Sequence, residues 1–124
     1  MTHPLGSLKG AHRQVGNITI VDLKGRITAG EGAAALRDAI HKLTAAGQLH
    51  ILLNLADLTY IDSAVIGEMV GSCSTVRKLG GDIKLASPQP RIAQLLEMTK
   101  LSAVFNIFPT EDTALHSFPG ISPG

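Results

Sequence analysis

The stretch Leu49-His50-Ile51-Leu52-Leu53-Asn54-Leu55 constrains this chain more than any other. It is nearly continuous in apolar residues and lacks the polar alternation of a strand with one wet face. It therefore reads as a strand buried on both faces, the habit of parallel sheets covered by helices. Parallel neighbours need long crossovers, and helices supply them. The flanking sequence should then alternate between helix and strand.

The residue patterns agree. Val15 to Leu23 is rich in β-branched residues and reads as a strand. A short strand near His12 to Val15 can pair with it across Gly16-Asn17, and Gly25 to Gly30 reads as a loop. From Glu31 to Ala46, apolar residues at Ala33, Leu36, Ile40 and Leu43 make one helix face, and Gly47 stops that helix. After the central strand, Ala56 to Ile61 reads as a connector. Asp62 or Ser63 then opens a second helix that runs to about Leu79, with Ile66, Met69, Val70, Cys73 and Val76 inward, before Gly80-Gly81. Asp82 to Ala86 is a strand. Pro88 and Pro90 introduce a helix over Arg91 to Met98, with Ile92, Leu95 and Leu96 inward. Val104 to Phe108 is a last strand and Thr110 to His116 a last short helix. The expected fold is one α/β domain: a mainly parallel sheet of four to five strands with about four helices, its first short strand antiparallel at one edge. A length of 124 residues fits one domain. It is placed at 12–117, with flexible segments expected at 1–11 and 118–124.

Composition excludes several kinds of function. Eleven basic residues against ten acidic leave a net charge of +1, which argues against binding nucleic acid by neutralising phosphates. One tyrosine and no tryptophan give no platform for stacking bases. The single cysteine, Cys73, rules out an internal disulfide and a cysteine-based zinc site, and it fits a cytoplasmic protein. On the apolar face of its helix it reads as a small core residue. The histidines (His3, His12, His41, His50 and His116) include no pair four apart, so no helical metal pair exists. The phosphate-cradling Gly-x-x-x-x-Gly-Lys-Ser/Thr, the dinucleotide Gly-x-Gly-x-x-Gly and the nucleophile elbow Gly-x-Ser-x-Gly are all absent. Runs such as Ile51-Leu52-Leu53 and Ala64-Val65-Ile66-Gly67 fall far short of the ~18 residues that cross a bilayer. Met1 to Gly10 lacks the apolar stretch of a signal peptide. The expectation is a protein that is not an enzyme, takes no cofactor or metal, and neither binds nucleic acid nor inserts in a membrane.

One segment stands out: Thr59-Tyr60-Ile61-Asp62-Ser63-Ala64-Val65-Ile66-Gly67, which follows the central strand and opens a helix. Asp and Ser are preferred helix caps, because their oxygens accept the free amides of the first turn. A serine there is also exposed and easily presented to another protein. A phosphoryl group would add about −1.5 to −2 charges. The free amides and dipole of the helix start would accommodate that charge, so the surface would change sign while the fold survived. Asp62 beside it would sharpen the change.

Tyr60-Ile61-Asp62-Ser63-Ala64-Val65-Ile66-Gly67 resembles the signature of STAS domains, named for sulfate transporters and anti-sigma factor antagonists. The likeness extends over residues 12 to 117. Gly25-Arg26-Ile27-Thr28 resembles the family's first loop, and Leu53-Asn54-Leu55 the strand before the signature. Gly80-Gly81-Asp82-Ile83-Lys84-Leu85 resembles its glycine pair and next strand, and Leu95-Leu96 through Leu101 its third helix and the turn after it. The resemblance implies an anti-sigma factor antagonist that acts without catalysis, with Ser63 as phosphoacceptor. Its partner would be an anti-sigma factor that is also an ATP-using serine kinase, and a phosphatase would reset it. The docking residues implied are Thr28, Asp62, Ser63, Val65 and Ile66, and a homo-oligomer is compatible. Ala64-Val65 stands where the family has Ser/Thr-Gly, and the valine is expected to add bulk and stiffness to the docking surface. Thr28 stands where many members are acidic, and Asn54 where aspartate is common. The alternatives are an adaptor subunit of a bacterial lipid-transport or other transporter complex, a component of a stress-signalling particle, or a small-ligand module. The missing phosphate loop gives the last little support.

Overall fold

Six strands form one sheet whose spatial order is the chain order. The computed structural model describes the backbone at residues 3–5 and 8–119 and the side chains at residues 11–119. The strands are β1 (His3–Leu5), β2 (Leu8–Val15), β3 (Ile18–Ile27), β4 (His50–Ile61), β5 (Asp82–Ala86) and β6 (Ile107–Phe108). The helices are α1 (Glu31–Ala45), α2 (Ser63–Lys78), α3 (Pro90–Met98) and α4 (Glu111–His116). β1, β2 and β3 pair antiparallel; β3, β4, β5 and β6 pair parallel. The α/β class, the mostly parallel sheet and the four helices are those expected.

The central strand is buried on both faces. Ile51, Leu53 and Leu55 join the larger core with Val21, Ile83 and Leu85, beneath α1, α2 and α3. Leu52 turns the other way and packs with Ile18, Ile20 and Ala86 beneath α4. That alternation is the period-two pleat of a strand with two dry sides. Cys73 is buried in the larger core. The glycine pair has a physical cause. Gly80 ends α2 at φ +94°, which a side chain disfavours, and a Cβ on Gly81 would lie 2.0 Å from the Leu49 carbonyl oxygen.

Several boundaries differ from expectation. The loop expected from Gly25 and the connector expected at Ala56 to Ile61 are strand, because β3 runs to Ile27 and β4 to Ile61. Their pairing shifts register between Asp22 and Lys24 and again between Gly25 and Arg26. Such bulges break the period of two. The buried residues Leu55, Leu58 and Ile61 accordingly stand three apart, a spacing that hides the strand. Of the strand expected over Val104 to Phe108, only Ile107–Phe108 pairs; Leu101–Ala103 is a 3₁₀ turn. The sheet has six strands, one more than the upper expectation, because β1 joins by main-chain pairing to β2 (His3 opposite His12). The segment 1–11, expected to be flexible, thus holds β1 and the first half of β2. At the other end Phe118, expected to begin a loose tail, is 3% exposed and packs beneath the sheet. Residues 120–124 of that expected tail lie outside the described residues. No helix among the described residues is long and apolar enough to cross a membrane.

Candidate functional site

β4 delivers the chain to Asp62, which has extended backbone and is the N-cap of α2. One Asp62 carboxylate oxygen accepts the Val65 amide at 3.1 Å. Of the two candidates for the cap, the aspartate fills it, and Ser63 becomes the first helical residue. The other Asp62 oxygen accepts the Ala29 amide at 2.7 Å. One carboxylate thus ties the Thr28–Gly30 loop to the start of α2. The Ala29 amide, and after it the Val65 amide, hold the Asp62 carboxyl below its usual range. The loop is fixed from its other side as well, where the Thr28 carbonyl accepts the Ala33 amide of α1 at 2.9 Å.

Thr28, Asp62 and Ser63 therefore gather at one corner of the domain, at the carboxyl ends of β3 and β4. Ser63 and Ala64 are exposed, Thr28 and Ile66 half-buried. Val65 does not belong to this surface. It is fully buried, packed in the larger core with Leu58, Ile61 and Met69. As the third residue of α2 it lies on the helix face that also carries Met69, Ser72, Cys73 and Val76, the face that packs inward. The bulk that valine adds therefore fills the core, and the expected docking role of Val65 is withdrawn. Asn54 is also remote from this corner. Its amide donates to Asp22 at 2.7 Å and its oxygen accepts the Ala56 amide at 3.2 Å, beside the first bulge.

Beside Ser63 a groove of about 550 Å³ opens between α2 and α3. Its walls include Tyr60, Ile66, Arg91, Ile92, Leu95 and Met98. Met98 is 74% exposed. The Arg26 guanidinium lies 4.3 Å from the centre of the Tyr60 ring. Sequence reasoning missed this groove. Pro90 marked the start of α3, but nothing local said that Arg91 would line one groove with Ser63.

Each oxygen of the carboxylate next to Ser63 accepts one backbone amide, so its place beside the serine is fixed. Among the described residues no group of three or more His, Cys, Asp or Glu could hold a metal ion.

Comparison with known proteins agrees with the geometry. The family model described as "STAS domain" matches residues 11–114. The anti-sigma-B factor antagonist of Bacillus subtilis is 32% identical over 75 residues, 60% of this chain and 68% of that protein. The matched stretch spans 62–68% of the length of the first curated relatives, which are named as anti-sigma factor antagonists. The crystal structure of TM1081 from Thermotoga maritima superposes with a TM-score of 0.81 at 23% identity, over 87% of this chain and 92% of that one. The Bacillus cell fate determinant SpoIIAA in its phosphorylated form gives 0.67 at 18% identity, over 86% and 96%. At these identities the two structures establish the fold alone. The family match extends from β2 into α4, with the Asp62-Ser63 helix start inside it: the chain belongs to the STAS domain family.

Proposed function

We propose that this protein is an anti-sigma factor antagonist. It docks on an anti-sigma factor through Thr28, Asp62, Ser63 and Ile66, and phosphorylation of Ser63 switches it off. The observation that carries the reading is an exposed serine on the first turn of a helix whose cap, Asp62, also staples the neighbouring loop. Relatives named as anti-sigma factor antagonists support the role. In the switching step the Ser63 oxygen attacks the γ-phosphorus of ATP held by the partner kinase. The new P–O bond forms as the bond to ADP breaks, and the hydroxyl proton passes to a base on the kinase. A phosphatase returns the serine by hydrolysis, releasing inorganic phosphate.

The added charge stands beside the Asp62 carboxylate, so a face with one negative charge becomes strongly anionic. The test is calorimetric binding to the anti-sigma factor kinase from the same genome. Wild type, Ser63→Ala and enzymatically phosphorylated protein are compared, with and without ATP. Phosphorylated protein is expected to bind at least tenfold more weakly, about 1.4 kcal/mol. Ser63→Ala should bind like wild type and remain bound when ATP is added. Equal affinity of the phosphorylated and unmodified forms would overturn the switch.

A further inference from the structure

We propose that the groove between α2 and α3 is the seat of the phosphoryl group carried by Ser63, and that Arg91 holds it there. The inference rests on the reading of Ser63 as phosphoacceptor and adds the receptor for the group. Ser63, the first residue of α2, and Arg91, the second residue of α3, line the same groove from different helices. Among the described residues Arg91 is the one cationic residue in that lining, and its guanidinium is in no ion pair with any of them. An unpaired guanidinium fork suits two phosphate oxygens at once.

Both sides of the groove direct the phosphate the same way. Among the described residues Asp62 is the one acidic residue in the lining, and its carboxylate is held in place by the amides of Ala29 and Val65. It repels a phosphate from the β4 side of the helix start and toward α3. On the α3 side no side chain caps the helix at Gln89, and Pro90 occupies the start. Pro90 has no N–H, so Arg91 and Ile92 supply the first-turn amides that lack intrahelical acceptors. The guanidinium and these amides are the donors that the start of α3 can offer an anion held in the groove. The bound group would link α2 to α3 and make the space between Ile66, Leu95 and Met98 polar. Phosphorylation would then act by closing an apolar groove to a partner as well as by charge.

The test uses protein with phosphoserine encoded at position 63 during translation, so no kinase is involved. Phosphorus NMR follows the second ionisation of the phosphate, ordinarily near pH ~6, in otherwise wild-type, Arg91→Gln, Arg91→Lys and Arg26→Gln proteins. With Arg91 present the midpoint is expected roughly half a unit or more below that of Arg91→Gln, about a threefold change in proton affinity. Arg91→Lys should fall between, and Arg26→Gln should match the wild-type background. Nitrogen-15 spectra should show the Arg91 and Ile92 amides shifting on phosphorylation. Superimposable titrations of the wild-type and Arg91→Gln backgrounds, with unmoved α3 amides, would overturn the proposal. Arg91 is exposed, so its variants are expected to fold, and the same spectra confirm it. If Ser63 never carries phosphate in cells the switch fails while this titration still decides the receptor. Superimposable titrations remove Arg91 and leave the switch intact.

Discussion

The two faces of the sheet are held by different physics. One lies beneath α1, α2 and α3, over a continuous apolar core that runs from Val21 to Phe105. The other is covered by the six-residue α4 over a small patch: Ile18, Ile20, Leu52, Ala86, Ala114 and Phe118. What the small face lacks in apolar area, polar clasps supply. Arg13 on β2 donates to both Asp22 oxygens, at 2.8 and 3.1 Å, and also to Glu111 of α4. Lys84 on β5, 8% exposed, donates to the Ser117 carbonyl at 2.9 Å and lies 4.5 Å from the centre of the Phe118 ring. It answers a carbonyl left unpaired at the end of α4. The large face should therefore respond to lost volume, the small one to lost charge.

The largest expected effect is on the large face. Leu53→Ala should destabilise the domain by about 3 kcal/mol, because lost burial and a residual cavity add together. Urea unfolding measures it, and a loss below ~1 kcal/mol would show that this core repacks freely.

On the small face, Arg13→Gln should cost about 1 kcal/mol, since all three charged partners remain partly exposed and such pairs are screened. Its mark is local: amide exchange in α4 should accelerate more than in α2. The difference from wild type should shrink at high salt. An unchanged α4 would mean that Phe118 alone holds the helix down.

Acid should separate the faces as well. Burial pushes the Asp22 carboxyl up, but hydrogen bonds from Arg13 and Asn54, with the Arg13 charge, outweigh it and hold it below its ordinary value of 3.8. A carboxyl depressed on folding contributes stability that is fully present above its unfolded pKa and is lost as pH falls through the folded one. Exchange in α4 should therefore rise as pH drops below 3.8, ahead of α1 and α2, and Arg13→Gln should flatten that dependence. Loss of protection in all helices together would erase the distinction between the faces.

The helix start gives the smaller effects. Asp62→Ala removes the α2 cap and the bond to the loop at once, so the Ala29 and Val65 amides should exchange faster, with a smaller drop in Tm than for Leu53→Ala. Asp62→Asn should restore part of the protection. Ser63→Ala should change stability by less than ~0.5 kcal/mol, as expected of an exposed side chain. It tests whether the serine matters to a partner and not to the fold.

Element order, the inward face of α1 and the burial of Cys73 were legible in the sequence because they follow from local periodicity and from residues that punctuate it, whereas in α2 the expected inward residues Ile66 and Val70 are only half-buried and Val65 and Ser72 are buried instead. The doubly apolar run around Leu53 announced the parallel sheet, and Asp62-Ser63 announced a helix start. The C-terminal half of β4 was hidden because bulges place Leu55, Leu58 and Ile61 three apart, where neither a strand period nor a helix period is plain. Val65 was misplaced because a signature says which residue follows a cap, whereas the helix turn decides which way it faces. The clasp from Arg13 to Glu111 spans 98 positions, and Arg91 of α3 lines the same groove as Ser63 of α2. Patterns within a few residues reflect the pitch of the helix and the pleat of the strand, which the chain carries wherever it goes. Which charges and cavities meet depends on how those pieces stack, and only the tertiary structure decides that.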